Sequence, residues 1–150
     1  MGSPVLASPQ QAELFRNVSI AYIWDDHDFG GNGSDERAKS EKAARQTYLD
    51  YVPHYPMVFD GEGPISQSFS VGRVKFVLTD LRSHRRPSGD PDTARKSMLG
   101  REQKEWLKRE LLEANGKYPL IVWVSPVPWI GKKGANVYGD VRSDEFGYFH

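Results

Sequence analysis

Residues 18–33 read VSIAYIWDDHDFGGNG, an apolar run that passes directly into charges and glycines. The first seven of them, 18–24, are apolar and rich in β-branched side chains, which predicts a buried β-strand. Three carboxylates and an imidazole follow at positions 25–28, and the glycines behind them allow the backbone to bend tightly. The stretch therefore predicts a strand that ends in a polar loop capable of chemistry.

The segments on the C-terminal side of this loop predict alternating helices and strands. In chain order they are a helix capped by Ser34 or Asp35 and ended by Pro53, strands 67–71 and 73–79 as a hairpin around Gly72, a helix over about 101–115, and a strand over 120–124. No regular element is predicted over 131–150. Such an alternation predicts an α/β fold in which helices cover a layered sheet and polar groups collect beyond the strand ends.

Composition narrows the class of protein. The chain has 150 residues, 38% hydrophobic and 27% charged, which suits one globular domain. Twenty basic and twenty acidic residues cancel, so a nucleic-acid partner held by bulk charge is not expected. The absence of cysteine excludes disulfides, a cysteine nucleophile and thiolate metal sites. No run approaches the roughly 20 apolar residues of a membrane span, and the N-terminus lacks the pattern of a signal peptide.

We call residues 25–33 the acidic loop. It contains the candidate metal ligands Asp25, Asp26 and Asn32, with His27 beside them. Carboxylates this close together repel one another unless a cation or hydrogen-bond donors compensate them. Oxygen ligands with a neighbouring imidazole suit one or two divalent or trivalent metal ions. The alternative is a solvated acidic turn that caps the following helix.

Arg82 is the second candidate, at the end of a predicted strand. Between Arg73 and Arg109 there are eleven Lys and Arg residues against five Asp and Glu, a local excess of positive charge. A guanidinium group matches phosphate oxygens in a bidentate manner, so Arg82 is predicted either to contact phosphate or to form a structural ion pair. Ser125 also follows a strand, but it lacks the flanking glycines of a nucleophile elbow, and a serine nucleophile is not expected.

Several ordered segments resemble those of the PhoD-like alkaline phosphatases, a branch of the metallophosphoesterases. Residues 23–30, IWDDHDFG, resemble the Trp–Asp–Asp–His motif of that family. The other similar segments are 51–56, 67–69, 79–83, 98–107 and 123–129. The resemblance covers about residues 18–148 and is more specific than any single motif.

The resemblance implies a metallophosphatase-type layered α/β sandwich with a mixed sheet, which hydrolyses phosphate mono- or diesters at a multinuclear metal site. Calcium and iron are the metals associated with the branch. By resemblance, Asp26 takes the place of a bridging ligand. His27 takes the place of the group that stabilises phosphate or protonates the leaving oxygen, while Asp25 and Asn32 are ligands or neighbours of ligands.

The remaining metal motifs of the family, an early Asp motif, a Gly-Asp motif and a late Gly-Asp-x-His motif, are not found at the expected places. We therefore predict an N-terminal extension or a segment left from cloning over 1–17, and a partial domain over 18–150 without the terminal metal-motif strands. The predicted function is a metal-dependent phosphoric ester hydrolase, present as an incomplete catalytic domain whose sheet a partner chain completes. The alternative is a non-catalytic interaction module that retains the phosphatase core. Family members are often secreted, but no compartment is predicted.

Overall fold

The computed structural model describes residues 8–91, 93 and 95–127, so predictions for the last 23 positions lie outside the described residues. The elements in chain order are α1 (Pro9–Asn17), α2 (Asp26–Phe29), α3 (Glu41–Tyr51), β1 (Gln67–Val71), β2 (Val74–Leu78), α4 (Gly100–Ala114) and β3 (Leu120–Val124). No helix within these ranges is long and apolar enough to cross a membrane.

The three strands form one mixed sheet in the order β1-β2-β3. β1 and β2 pair antiparallel with Val71 opposite Val74, and β2 and β3 pair parallel with Leu78 opposite Val124. Gly72 makes the tight turn of the hairpin possible, because its φ of 57° lies in the region that side chains disfavour. The predicted hairpin, the helix ending before Gly116 and the strand 120–124 are confirmed, and the fold is mixed α/β.

Two apolar clusters cover opposite faces of this sheet. On one face α4 packs Trp106 and Leu107 against Val77 of β2. On the other face Trp24 and Tyr48 pack around Leu78. Burying each such side chain contributes roughly 1.5–3 kcal/mol, so the two clusters fix the sheet between α4 and the loop that follows Trp24.

The prediction of a buried strand over 18–24 is wrong. The segment pairs with no strand among the described residues. Val18 and Ile20 are 52% and 41% exposed, and only Ile23 and Trp24 reach the core. β-Branched residues favour a pleated, half-buried surface, but a strand also needs a neighbour for its backbone hydrogen bonds, and this segment has none among the described residues.

The start of the third helix also differs from the prediction. α3 begins at Glu41 rather than directly after Ser34 or Asp35. The Ser34 hydroxyl donates to the carbonyl of Asp26 over 2.8 Å, and the Asp35 carboxylate accepts from the backbone and guanidinium of Arg37. The Ser34 hydroxyl is therefore engaged away from any helix, and the Asp35 carboxylate caps only the turn at Arg37. The short helix α2 and the N-terminal helix α1 were not predicted.

Tyr48 of α3 anchors the segment before the acidic loop. Its hydroxyl donates to the carbonyl of Tyr22 and accepts from Nε2 of Gln67 over 2.9 Å. Burial is the main reason why the pKa of Tyr48 rises from 10.0 to about 12, with the charge of Asp80 acting in the same direction and the hydrogen bond from Gln67 opposing.

Stability should fall at alkaline pH because of this group. The folded state holds the Tyr48 proton more tightly than the unfolded chain, so its contribution is complete below pH 10 and is lost as the pH rises toward 12. Urea unfolding between pH 9 and 11.5 measures the slope. Tyr48→Phe should flatten the decline, and an equal decline in that variant would contradict the assignment.

Candidate active site

The buried carboxylate of Asp80, two residues beyond β2, organises the region where the strands end. It is fully buried. Its two oxygens accept hydrogen bonds from Trp24 Nε1 (2.8 Å), Ile65 N (3.1 Å), Arg82 N (2.8 Å), Ser83 N (3.1 Å) and Ser83 Oγ (2.6 Å). Multiple donors satisfy a buried carboxylate that would otherwise be costly to desolvate. Through these hydrogen bonds Asp80 connects Trp24, the residue before the acidic loop, to the end of β2.

Gln103 of α4 fixes the backbone of Asp80. Its Oε1 accepts from the Asp80 N–H over 2.8 Å, and its Nε2 donates to the Asp80 carbonyl over 2.7 Å. The same Oε1 accepts from the Ser66 hydroxyl over 2.5 Å. Sequence reasoning missed this residue. In the sequence, the feature that could have indicated Gln103 is its position four residues before Leu107, which places an amide on the otherwise apolar face of the helix.

Arg82 closes the acidic loop at both ends. Its Nε and Nη2 donate to Oδ1 of Asp25 over 2.9 and 2.5 Å, and its Nη1 donates to the carbonyl of Ser34 over 3.3 Å. The guanidinium is fully buried, whereas the Asp25 side chain is 41% exposed. The loop from 25 to 34 is therefore held across its base by one cation.

Asp26 shapes the interior of the loop. Its Oδ1 accepts the N–H of His27 over 2.7 Å, and its Oδ2 accepts the N–H of Gly33 over 2.8 Å. Gly33 has a φ of 67°, a conformation that favours glycine, which lets the chain turn back onto the carboxylate. Both oxygens of Asp26 thus stabilise the backbone.

His27 and Asn32 are the exposed members of the predicted set. Within the described part of the chain, no hydrogen bond to the His27 imidazole is present, so this ring is free to meet a molecule from solvent. Asn32 lines an open depression of about 490 Å³ together with Gly31 and Lys39. An amide and an ammonium group at this surface can donate hydrogen bonds to an anion.

The charges around the loop are largely compensated. The hydrogen bonds from Arg37 lower the pKa of Asp35. Burial raises the pKa of Glu41, and the nearby carboxylate of Asp80 adds to the rise while His84 opposes it. The carboxylate of Asp35, just after the acidic loop, is therefore compensated by its neighbour Arg37.

A profile of the PhoD-like phosphatase family matches residues 3–132, a range that takes in α1 as well as the site. The chain belongs to the PhoD-like phosphatase family. A solved structure titled "Structure of PhoD" superposes on this PhoD-like chain with a TM-score of 0.64 and 19% sequence identity, which shows likeness of fold. The match covers 84% of this chain and 28% of that one, and no match was found among curated proteins.

The carboxylates expected to bind metal in PhoD-like phosphatases are engaged by other groups of the protein. Among the described residues, no group of three or more Asp, Glu, His or Cys side chains could hold an ion. Asp25 is paired with Arg82, and Asp26 is occupied by backbone N–H groups. The assignment of Asp25, Asp26 and Asn32 as ligands stays a prediction.

For Arg82, the ion pair with Asp25 is the arrangement that the PhoD-like chain adopts, and contact with a phosphate group stays a prediction. The Ser125 hydroxyl donates to the carbonyl of Val127 over 2.7 Å. The structure brings Asp25, Asp26, His27 and Arg82 to one loop, with Asn32 on its outer rim.

Proposed function

We propose that this chain carries the central part of a metal-dependent phosphoric ester hydrolase of the PhoD-like type. The observation that supports this most is the exposed His27 imidazole, whose backbone N–H is fixed by the buried Asp26. An exposed imidazole on a hydrogen-bonded turn is suited to proton transfer with a bound substrate. Membership of the PhoD-like family favours a phosphate ester as that substrate.

In this proposal His27 acts on the leaving group. A water molecule, which the metals would activate, forms a new bond to phosphorus as the bond to the ester oxygen breaks, and its proton passes to solvent. The protonated imidazole gives its own proton to the departing ester oxygen and becomes neutral. Asn32, on the rim of the loop, stays a candidate metal ligand in this proposal, and the ammonium group of Lys39 contributes positive charge beside it. Arg82 acts through Asp25 by keeping the loop closed.

Further polypeptide would supply the remaining metal ligands and cover the sheet, either from the same protein or from a partner chain. The chain spans 28% of the PhoD chain it matches. Val71 and Leu120, on the sheet face opposite α4, are 57% and 53% exposed. Exposed apolar strands of this kind favour association with another sheet layer.

A non-catalytic module is the second candidate. The observation that favours it is the compensation of the acidic loop by Arg82 and by backbone donors, which leaves no ligand cluster among the described residues. In this case the loop would serve only to stabilise the fold.

Paired substitutions of Asp26 and His27 test the proposal. The chain alone should hydrolyse p-nitrophenyl phosphate poorly. In a domain completed by the other PhoD-like segments, Asp26→Ala should lower both bound calcium and iron and the rate. His27→Ala should keep the metal and lose about a hundred to ten-thousand-fold in rate on alkyl esters, with a smaller loss on nitrophenyl esters that need no proton.

Elemental analysis measures the metal content of each variant, and hydrolysis rates on a series of esters with different leaving groups measure the loss of proton transfer. Asp50→Ala, at an exposed position outside the loop, is the matched control. Equal metal loss in both loop variants would make His27 a ligand. Changes in stability alone, without any effect on metal content or on leaving-group dependence, would favour the non-catalytic module.

A further inference from the structure

Tyr22 connects the core to the exposed end of the acidic loop. Its phenol donates to Oδ2 of Asp28 over 2.7 Å, and the same oxygen accepts the backbone N–H of Asp25 over 3.0 Å. Asp28 follows His27 directly. The bond from Tyr22 therefore acts on the turn that carries the exposed imidazole.

The backbone of Tyr22 is itself held from the interior. Its carbonyl accepts from the Tyr48 hydroxyl, and the two rings stack with their centroids 6.2 Å apart. Gln67 of β1 donates to the Tyr48 hydroxyl, and both of these side chains are buried. A continuous series of contacts thus runs from β1 through Tyr48 and Tyr22 to Asp28.

The turn needs such an anchor because α2 is only four residues long. Helices this short are not stable in water without tertiary contacts. Burial, followed by the hydrogen bond and charge of Asp28, raises the pKa of Tyr22 well above its ordinary value. The phenol therefore stays protonated at neutral pH and remains a donor.

We propose that Tyr22 is a positioning residue that sets the orientation of His27 by holding Asp28 against the backbone of Asp25. The catalytic consequence rests on the proposed function. The anchoring itself does not, because it is measurable as motion of the His27 ring in the absence of any turnover.

The experiment uses NMR relaxation of the His27 imidazole and amide exchange over residues 25–30 in the 150-residue chain. Tyr22→Phe removes the donor and keeps the stacked ring, and it should speed exchange at His27 and Asp28 at least about threefold and increase motion of the imidazole. Tyr51→Phe is the matched control, since Tyr51 is 80% exposed, and it should change neither.

Substitution of Asp28 separates anchoring from general stability. Asp28→Asn keeps an oxygen that can accept from Tyr22 and Asp25, and it should behave as the native chain does. Asp28→Ala removes the acceptor of both Tyr22 and Asp25 and should speed exchange at least as much as Tyr22→Phe. Adding Tyr22→Phe to Asp28→Ala should have no further effect, because the acceptor of the phenol is already absent.

A residue that only stabilises the fold would lower the unfolding midpoint without a selective change at His27. The proposal is overturned by a His27 ring as rigid in Tyr22→Phe as in Tyr51→Phe, or by effects of Tyr22→Phe and Asp28→Ala that add fully. A failure of the proposed function would appear as absent turnover in the completed domain, with the anchoring readouts unchanged.

Discussion

Asp80→Asn should lower the free energy of unfolding by about 3 kcal/mol. The amide of Asn must place its NH₂ group where one carboxylate oxygen of Asp80 now accepts hydrogen bonds. An NH₂ group can donate hydrogen bonds but cannot accept them. In the less costly orientation it faces the N–H of Ile65, while the hydroxyl of Ser83 rotates to accept. One buried backbone N–H then loses its acceptor, and the hydrogen bonds to the other oxygen lose the contribution of the charge.

Urea unfolding monitored by tryptophan fluorescence measures this change, since the indole of Trp24 donates to Asp80. Asp60→Asn removes the same charge at an exposed position and should change stability by less than about 0.5 kcal/mol. A similar small effect at both positions would show that Asp80 is not the organising carboxylate described above.

Arg82→Lys should cost about 2 kcal/mol although it preserves the positive charge. One ammonium group cannot reproduce the fork that donates twice to Asp25 and once to Ser34. The base of the loop should open as a result. Amide exchange over residues 26–33 should therefore rise more than exchange in β2.

Arg73→Lys, at an exposed position in the hairpin turn, is the control and should be neutral. Stability and loop exchange equal to those of the control would mean that the charge alone matters at position 82. That result would contradict the claim that the guanidinium group of Arg82 holds the two ends of the loop together.

Hydrogen bonds between distant positions explain why the site could be predicted only in part. The sequence placed Asp25, Asp26 and His27 in one loop because they are neighbours in the chain. It left Arg82 open between phosphate contact and an ion pair, because its partner Asp25 lies 57 positions away. The bond between Trp24 and Asp80 spans 56 positions and carries no local pattern.

The sequence by itself determined the elements whose signals are local: the hairpin turning at Gly72, the helix α4 and the strand β3. Turn glycines and the 3.6-residue and two-residue periods act within one element, so they can be read without knowing its neighbours. Only the tertiary structure decided that 18–24 pairs with no strand within the described part of the chain and that α3 starts at Glu41. Strand pairing and helix capping depend on hydrogen-bond donors and acceptors that lie in other segments of the chain. The acidic loop likewise depends on hydrogen bonds from distant segments, which Asp80 and Arg82 provide.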